Sequence, residues 1–183
     1  DLQYLQNLQN NSFEENVVDS DHLMQLFKRI YFSPKLVISN IQGHAIAGGC
    51  GLATVCDISI ASEKAKFGYP EVNIGFIPAI VSVFLLKKVG ETIAKDLLLT
   101  GRKIDAIEAQ KIGLITKVVE EKDLKQYVLD LANRACNNNS AQSVLLTKEL
   151  MHKVHSMSVE DGLNEAVLFN ANARKTDDFK KGI

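Results

Sequence analysis

The sequence predicts an α/β core followed by a C-terminal region that is entirely helical. Two short apolar runs, 36–41 and 57–61, are typical of strands, and a helix entered through glycines, 48–56, lies between them. In the last third of the chain, apolar residues recur only at helical spacing. We therefore divide the chain into an α/β core, residues 1–121, and a helical region, residues 122–183.

The N-terminal part of the core contains one predicted helix. Residues 1–16 are rich in Gln, Asn and Glu, which is typical of a surface segment. Helical spacing of apolar residues begins near Asp19, and either Asp19 or Asp21 could cap the start of the helix. The helix is expected to stop at Ser33-Pro34, because the residue that precedes a proline is disfavoured in the α region.

The other elements follow with short connections. Strands or extended pieces are predicted at 36–41, 57–61, 65–68 and 113–119. Helices of the core are predicted at 48–56, 80–89, 93–99 and 105–111. Helices of the C-terminal region are predicted at 124–135, 140–154 and 158–173. Glycines suit several of these helix ends, because glycine readily adopts the left-handed conformation found there.

Composition excludes several classes of protein. The net charge of -1 argues against a nucleic-acid binder with a broad basic surface. No apolar run approaches the ~18–20 residues that cross a membrane. The cysteines, Cys50, Cys56 and Cys136, lack His or Cys partners at ligand spacing, so we expect reduced thiols and no metal site. We expect a cytoplasmic protein that binds neither nucleic acid nor a membrane.

A pair of glycines marks the first candidate site. Gly48 and Gly49 follow a strand-like run and open a helix, and the first N–H groups of a helix have no carbonyl partner within it. Such N–H groups can bind an anionic oxygen at close range. The alternative is that the glycines only permit tight packing. Cys50 is expected to pack as a small residue, although a helix start could lower the pKa of its thiol.

A lone glutamate marks the second candidate site. Glu71 follows Pro70 and is flanked by apolar residues, so an apolar wall could raise its pKa and suit it to proton transfer. The alternative is an exposed loop carboxylate. The run 75–80 could line an apolar pocket or belong to the core. Asp57 is expected to bind backbone groups rather than to act in catalysis.

Taken together, these motifs resemble those of one family. The resemblance rests on 40–53, NIQGHAIAGGCGLA, and on 67–78, FGYPEVNIGFIP. It extends to Cys-Asp-Ile at 56–58, Leu-Thr-Gly at 99–101 and Gly-Leu-Ile at 113–115. In this order and spacing they resemble the enoyl-CoA hydratase/isomerase family, also called the crotonase superfamily, and in particular its bacterial methylglutaconyl-CoA-hydratase-like members.

The resemblance implies a fold, a substrate and an assembly. The fold would be a spiral of ββα turns followed by helices that form a homotrimer or a dimer of trimers. The substrate would be an acyl-CoA thioester. No separate cofactor is implied, because coenzyme A is part of the substrate. A bacterial, cytoplasmic protein is expected.

The resemblance also implies roles for individual residues. Gly48 would donate one of two backbone N–H groups to the thioester oxyanion, and Glu71 would be the second of the two hydratase glutamates. Substrate contacts are implied at Asp1, Gly48, Gly51, Phe76 and Pro78. The first hydratase glutamate falls at Gly51, which carries no acid. The first oxyanion donor, the strands before it and the last helix of the family would lie outside this sequence, which is expected to be part of a longer protein.

The absence of an acid at residue 51 bears on the reaction. Isomerisation needs one group that moves a proton between two carbons, whereas familiar hydratases share the work between two carboxylates. The motifs around 47–83 nevertheless resemble hydratases most closely. Hydration is therefore predicted ahead of double-bond isomerisation, with decarboxylation third. A catalytically silent acyl-CoA-binding subunit is the alternative of another class.

Overall fold

The computed structural model describes residue 6 and residues 8–182, which form two three-stranded sheets covered by helices. The strands are β1 (Ile38–Ile41), β2 (Ala45–Ile46), β3 (Ile58–Ser62), β4 (Lys66–Gly68), β5 (Lys103–Asp105) and β6 (Lys117–Val119). The helices are α1 (Phe13–Tyr31), α2 (Gly48–Val55), α3 (Ala79–Val89), α4 (Glu91–Thr100), α5 (Ala106–Lys111), α6 (Glu121–Asn138), α7 (Ala141–Val154), α8 (Val159–Ala173) and α9 (Asp177–Gly182). A 3₁₀ helix spans Pro70–Ile74.

The chain passes back and forth between the two sheets. The first sheet has the order β1-β3-β6 and is parallel throughout. The second has the order β2-β4-β5, with β2 and β4 parallel and β4 and β5 antiparallel. Successive strands β1 to β4 therefore alternate between the sheets, and α2 makes the crossover between β2 and β3. The predicted α/β class is confirmed.

The first helix begins earlier than its apolar spacing indicates. Ser12 is the N-cap: its hydroxyl accepts the N–H of Glu15 at 3.1 Å, and the Glu15 carboxylate accepts the N–H of Ser12 at 2.7 Å. This reciprocal capping box satisfies two N–H groups that the helix cannot. The prediction of a cap at Asp19 or Asp21 was wrong; residues 13–16 lie at the surface, as expected, but they already belong to the helix.

The predicted strand at 113–119 is correct only over its last three residues. Leu114 and Ile115 are buried, but their N–H groups bond to the carbonyl of Ala109 at 2.9 and 3.3 Å instead of to a neighbouring strand. The left-handed backbone of Gly113, with φ of 78°, makes this turn. Burial beneath α5, and not strand pairing, is the reason that this segment is apolar.

Helix α6 packs on the first sheet, against β1 and β3, and buries Leu124 there. The next two helices, α7 and α8, pack mainly on each other. The predicted helices at 124–135, 140–154 and 158–173 are confirmed with small changes at their ends. The division of the chain near residue 121 stays a prediction.

A partly buried ion pair links α7 to the core. Lys148 Nζ lies 2.7 Å from Asp57 Oδ2 and 3.2 Å from the carbonyl oxygen of Lys35. The same Asp57 oxygen accepts the N–H of Val37 at 2.8 Å. Only 9% of Lys148 is exposed. The prediction that Asp57 binds backbone is confirmed, and the carboxylate also holds the helical region in place.

Replacing Lys148 by Met is expected to lower the free energy of unfolding by about 2 kcal/mol, because its charged hydrogen bonds are lost and Asp57, which is partly exposed, loses its partner. Urea denaturation at a fixed protein concentration measures this. Lys95 is the control, because its ion pair with Glu91 is solvent-exposed. Its replacement by Met should change the free energy by less than about 0.5 kcal/mol. Equal losses in the two variants would contradict the expectation.

Candidate active site

Gly48 opens α2 directly after a sharp turn of the chain. Ala47 makes this turn and has a positive φ of 53°. Among the described residues, the others with a positive φ are glycines. Backbone in such a region is strained and persists only where its surroundings hold it. Here the N–H of Ala47 donates to the carbonyl of Gly68 at 2.8 Å, and its carbonyl accepts the N–H of Gly51 at 3.0 Å. The predicted strand-to-helix junction is confirmed.

The start of α2 is open to approach. Gly48 and Gly49 are exposed, and no atom lies within 4 Å of the Cβ that a side chain would add at either one. The N–H groups of a helix's first turn have no carbonyl partner within the helix and carry its positive end. An anionic oxygen can therefore come close to this backbone without a side chain in the way.

Cys50, the next residue, points the other way and is completely buried. Burial is the main cause that raises the pKa of its thiol, to about 11, although the neighbouring Tyr69 side chain and the backbone of Gly68 oppose it. The idea that the helix start lowers this pKa was wrong, because loss of water outweighs the positive end of the helix. The prediction that Cys50 packs as a small residue is confirmed.

Glu71 lies on the 3₁₀ helix Pro70–Ile74, which ends at Gly75. Gly75 adopts a left-handed conformation, with φ of 73°, and the N–H of Phe76 donates to the carbonyl of Glu71 at 3.0 Å. Glu71 is half-buried, and desolvation raises the pKa of its carboxyl, partly offset by a hydrogen bond from its own backbone. The expected direction of the pKa shift is therefore found, and the apolar wall stays a prediction.

One oxygen of this carboxylate has no partner. Oε2 of Glu71 is buried and accepts no hydrogen bond from the described residues. Buried polar atoms are nearly always paired, so such an orphan calls for an explanation. A carboxylate with a raised pKa and a free buried oxygen is suited to exchange a proton with a molecule bound beside it.

The second sheet brings Gly48 and Glu71 to the same end of the fold. Strands β2 and β4 are parallel and pair Ala45 with Phe67 and Ile46 with Gly68. Gly48 comes two residues after β2, and Glu71 comes three residues after β4. Because the carboxyl ends of parallel strands meet at one edge, the open helix start and the desolvated carboxylate lie on that edge together.

Gly51, in the next turn of α2, is packed rather than open. A Cβ at this residue would lie 2.6 Å from Cγ2 of Val81 and 2.7 Å from Cε1 of Phe27. Phe27 is itself buried and stacks on Phe84, with ring centroids 6.1 Å apart. The chain therefore has no room for a side chain where the family's first glutamate would stand. Contact between Gly51 and a substrate stays a prediction.

The other predicted contacts lie around the segment that follows Glu71. Phe76 is half-exposed and lines a cleft of about 600 Å³ together with Ile74, Gly75, Asn16, Asp19, Ser20, Gln6, Leu8 and Gln9. Pro78 is the half-buried N-cap residue of α3 and is not part of the cleft lining. Asp1 lies outside the described residues.

Sequence reasoning missed a lysine that supports α2. Lys88 Nζ donates to the carbonyl oxygens of Thr54 at 2.8 Å and of Cys56 at 3.1 Å. These carbonyls form the negative end of α2, so the cation satisfies them and complements the helix dipole. Burial lowers the pKa of Lys88. Its distance of more than thirty residues from α2 left no local signal in the sequence.

No group of three His, Cys, Asp or Glu residues that could hold a metal ion occurs in the part of the chain that the structure describes. Over the same residues, none of the helices is both long enough and apolar enough to cross a membrane. The residues described above contribute backbone N–H groups and one carboxylate to the site. Such a site can stabilise a negative charge that develops on a carbonyl oxygen and move a proton beside it.

Comparison with known proteins identifies the class. The family model described as "Enoyl-CoA hydratase/isomerase" matches residues 3–183. A protein of Thermus thermophilus named "Putative enoyl-CoA hydratase" is 43% identical over 183 residues, which are all of this chain and 72% of that protein. The short-chain-enoyl-CoA hydratase of Clostridium acetobutylicum is 36% identical over 140 residues, 76% of this chain and 53% of that protein. The chain belongs to the enoyl-CoA hydratase/isomerase family.

Solved structures agree with this assignment. An enoyl-CoA hydratase from Shewanella pealeana superposes with a TM-score of 0.93 at 28% identity, over all of this chain and 68% of that one. An enoyl-CoA hydratase/isomerase from Marinobacter aquaeolei gives 0.89 at 29% identity, over all of this chain and 71% of that one. The predicted crotonase-like spiral is confirmed. The matched residues span only part of these relatives, namely 72% of the protein from Thermus thermophilus and 58% of the one from Rhizobium meliloti.

Proposed function

We propose that this protein adds water to 2-enoyl-CoA thioesters, with Glu71 as the group that moves the proton and Gly48 as an oxyanion donor. The observation that carries this proposal is the buried, unpartnered Oε2 of Glu71 at the same sheet edge as the open start of α2. The names of the relatives from Thermus and Clostridium, both enoyl-CoA hydratases, support hydration.

The proposed reaction needs two groups in two roles. Ionised Glu71 takes a proton from water as the water oxygen bonds to Cβ, and the double-bond electrons move onto the thioester oxygen. The N–H of Gly48 donates to that oxygen, and the positive end of α2 stabilises its charge. Glu71 then returns its proton to Cα as the carbonyl re-forms. The net change is the addition of one water, and the carboxylate is regenerated.

Double-bond isomerisation is the second candidate. The packing of Gly51 against Phe27 and Val81 favours it, because the site then holds no second carboxylate at that residue. A single carboxylate suffices to remove a proton at one carbon and to return it at another. The names of the curated relatives keep hydration first.

We also propose that the helical region forms the trimer interface that the resemblance implies. Val159, Leu163 and Val167 lie at intervals of four on α8 and are 82%, 64% and 66% exposed. An apolar stripe of this kind is typical of a contact with another subunit. We further propose a bacterial protein of the cytoplasm; the bacterial source of the Thermus relative supports the first part of this proposal. Sedimentation equilibrium on the complete protein tests the assembly, and a monomer would contradict it.

The function is tested by supplying the complete protein with crotonyl-CoA and, separately, with a 3-enoyl-CoA. Loss of the conjugated-thioester absorbance of crotonyl-CoA is expected, because hydration removes the conjugated double bond. A gain of that absorbance from the 3-enoyl-CoA alone, without loss from crotonyl-CoA, would replace hydration by isomerisation. If the absorbance changes with neither substrate, hydration and isomerisation are both refuted, and the alternative of a catalytically silent acyl-CoA-binding subunit is supported.

A further inference from the structure

We infer that Tyr69 is a positioning residue that braces the start of α2 against the segment carrying Glu71, and thereby holds the oxyanion donor and the carboxylate at a fixed separation. The inference rests on the proposed function for its effect on turnover, but the brace itself is a property of the fold. Tyr69 lies between the end of β4 and Pro70, and it is completely buried.

The brace is a relay of two hydroxyl groups. The Tyr69 hydroxyl oxygen lies 2.6 Å from Oγ1 of Thr54, and the Thr54 hydroxyl donates to the carbonyl of Cys50 at 2.9 Å. A hydroxyl carries one proton, so Tyr69 is the donor in the contact with Thr54. The relay therefore runs from the residue two before Glu71 to the residue two after Gly48.

A second link runs beside the relay through the backbone. The N–H of Ala47 donates to the carbonyl of Gly68 at 2.8 Å. The two links attach α2 to two consecutive residues: Ala47, its N-cap, is bonded to Gly68, and Thr54, in its second turn, is bonded to Tyr69. Pro70 comes next, and its ring restricts the backbone φ between the brace and Glu71. Rotation of the carboxylate's segment relative to α2 is thus restrained at two points.

Tyr69 is placed to act through Glu71 rather than on a substrate. Its side chain is completely buried among core residues, and the hydroxyl has its partner in Thr54. Burial, as the largest cause, raises the pKa of the phenol, which keeps it neutral. A phenylalanine would fill the same core space, so the hydroxyl is what distinguishes this residue. Burying a hydroxyl group destabilises the fold unless the group forms a hydrogen bond that offsets the loss of water.

The test is Tyr69→Phe in the complete protein. With the brace removed, kcat is expected to fall about tenfold and KM to stay within about twofold, because misplaced groups lose transition-state contacts first. Thr54→Val should give a similar loss, and the double variant should lose no more than either single one, because both act in one relay. Thr54→Ser keeps the hydroxyl and should restore most of the turnover.

Two controls separate a brace from a general loss of packing. Ile60→Val trims the buried core on β3, outside the relay, and should leave kcat unchanged. Hydrogen exchange gives a readout without substrate: Tyr69→Phe should speed exchange in peptides covering 47–56 and 69–76, and not in one covering 159–173. If the parent protein is inactive, the proposed function is refuted, and hydrogen exchange alone then tests whether Tyr69 braces α2.

Three results would overturn the inference. The first is unchanged exchange in both peptides of the Tyr69→Phe variant. The second is an unchanged kcat in an active protein, whatever the exchange shows. The third is a loss of turnover that Ile60→Val reproduces, because Tyr69 would then act only as a core residue.

Discussion

Glu71→Gln is expected to lower kcat by about 10²–10⁴-fold while KM stays within about threefold. The amide has the size of the carboxyl group but cannot take a proton from water or return one to Cα. The fold should tolerate the change, because Glu71 Oε2 has no partner among the described residues and the group is only half-buried. Steady-state kinetics with crotonyl-CoA measure the effect.

The pH dependence of the unmodified protein provides a second measurement on the same group. Desolvation raises the pKa of Glu71, and the proposed reaction starts from the ionised form. Turnover should therefore fall as the pH falls through a pKa above the ordinary value of a carboxyl group. Glu91→Gln, at an exposed residue, is the control and should keep both kcat and the acid limb. Full activity in Glu71→Gln would refute the role of this carboxylate.

Gly51→Glu is expected to lower the free energy of unfolding by about 4 kcal/mol or more, which is at the extreme for a single substitution. The new Cβ would lie under 3 Å from Val81 and from the ring of Phe27. Both side chains are buried, so neither can move without disturbing its neighbours. The carboxylate would in addition enter an apolar contact, where its charge is poorly solvated.

Gly51→Ala isolates the steric part of this effect and should cost about 1–3 kcal/mol. It also keeps the expectation testable if the glutamate variant does not fold. Gly49→Ala is the control on the same helix, because no atom lies within 4 Å of its new Cβ. That variant should be as stable as the parent or more stable by up to about 1 kcal/mol. Chemical denaturation compares the three, and a stable Gly51→Glu would contradict the described packing.

A structural feature could be predicted from the sequence when residues close together in the chain determine it. The opening of α2 at Gly48 and the raised pKa of Glu71 were predicted from neighbours in the chain, and the structure agrees with both. The capping box at Ser12 and Glu15 was equally local but was overlooked in favour of apolar spacing. Strands β2 and β5, of two and three residues, are too short to show a period.

The remaining features depend on contacts between distant parts of the chain. The contact of Gly51 with Phe27 and Val81 joins three helices, and no spacing in the sequence indicates it. The hydrogen bond of Tyr69 with Thr54 is likewise visible only once β4 and α2 are placed side by side. The sequence contains these residues, but their roles depend on contacts that only the fold brings together.

The contact between Gly51 and Phe27 also restricts how this lineage can change. A glutamate acquired at residue 51 would meet the ring before it could contribute any chemistry, so a variant carrying it alone is selected against for its fold. Smaller residues at both 27 and 81 would have to come first, because Phe27 and Val81 both meet the new Cβ, and each of those changes opens a cavity in the core. The substitutions are therefore epistatic. A site with a second carboxylate at residue 51 can be reached only through intermediates that fold less stably.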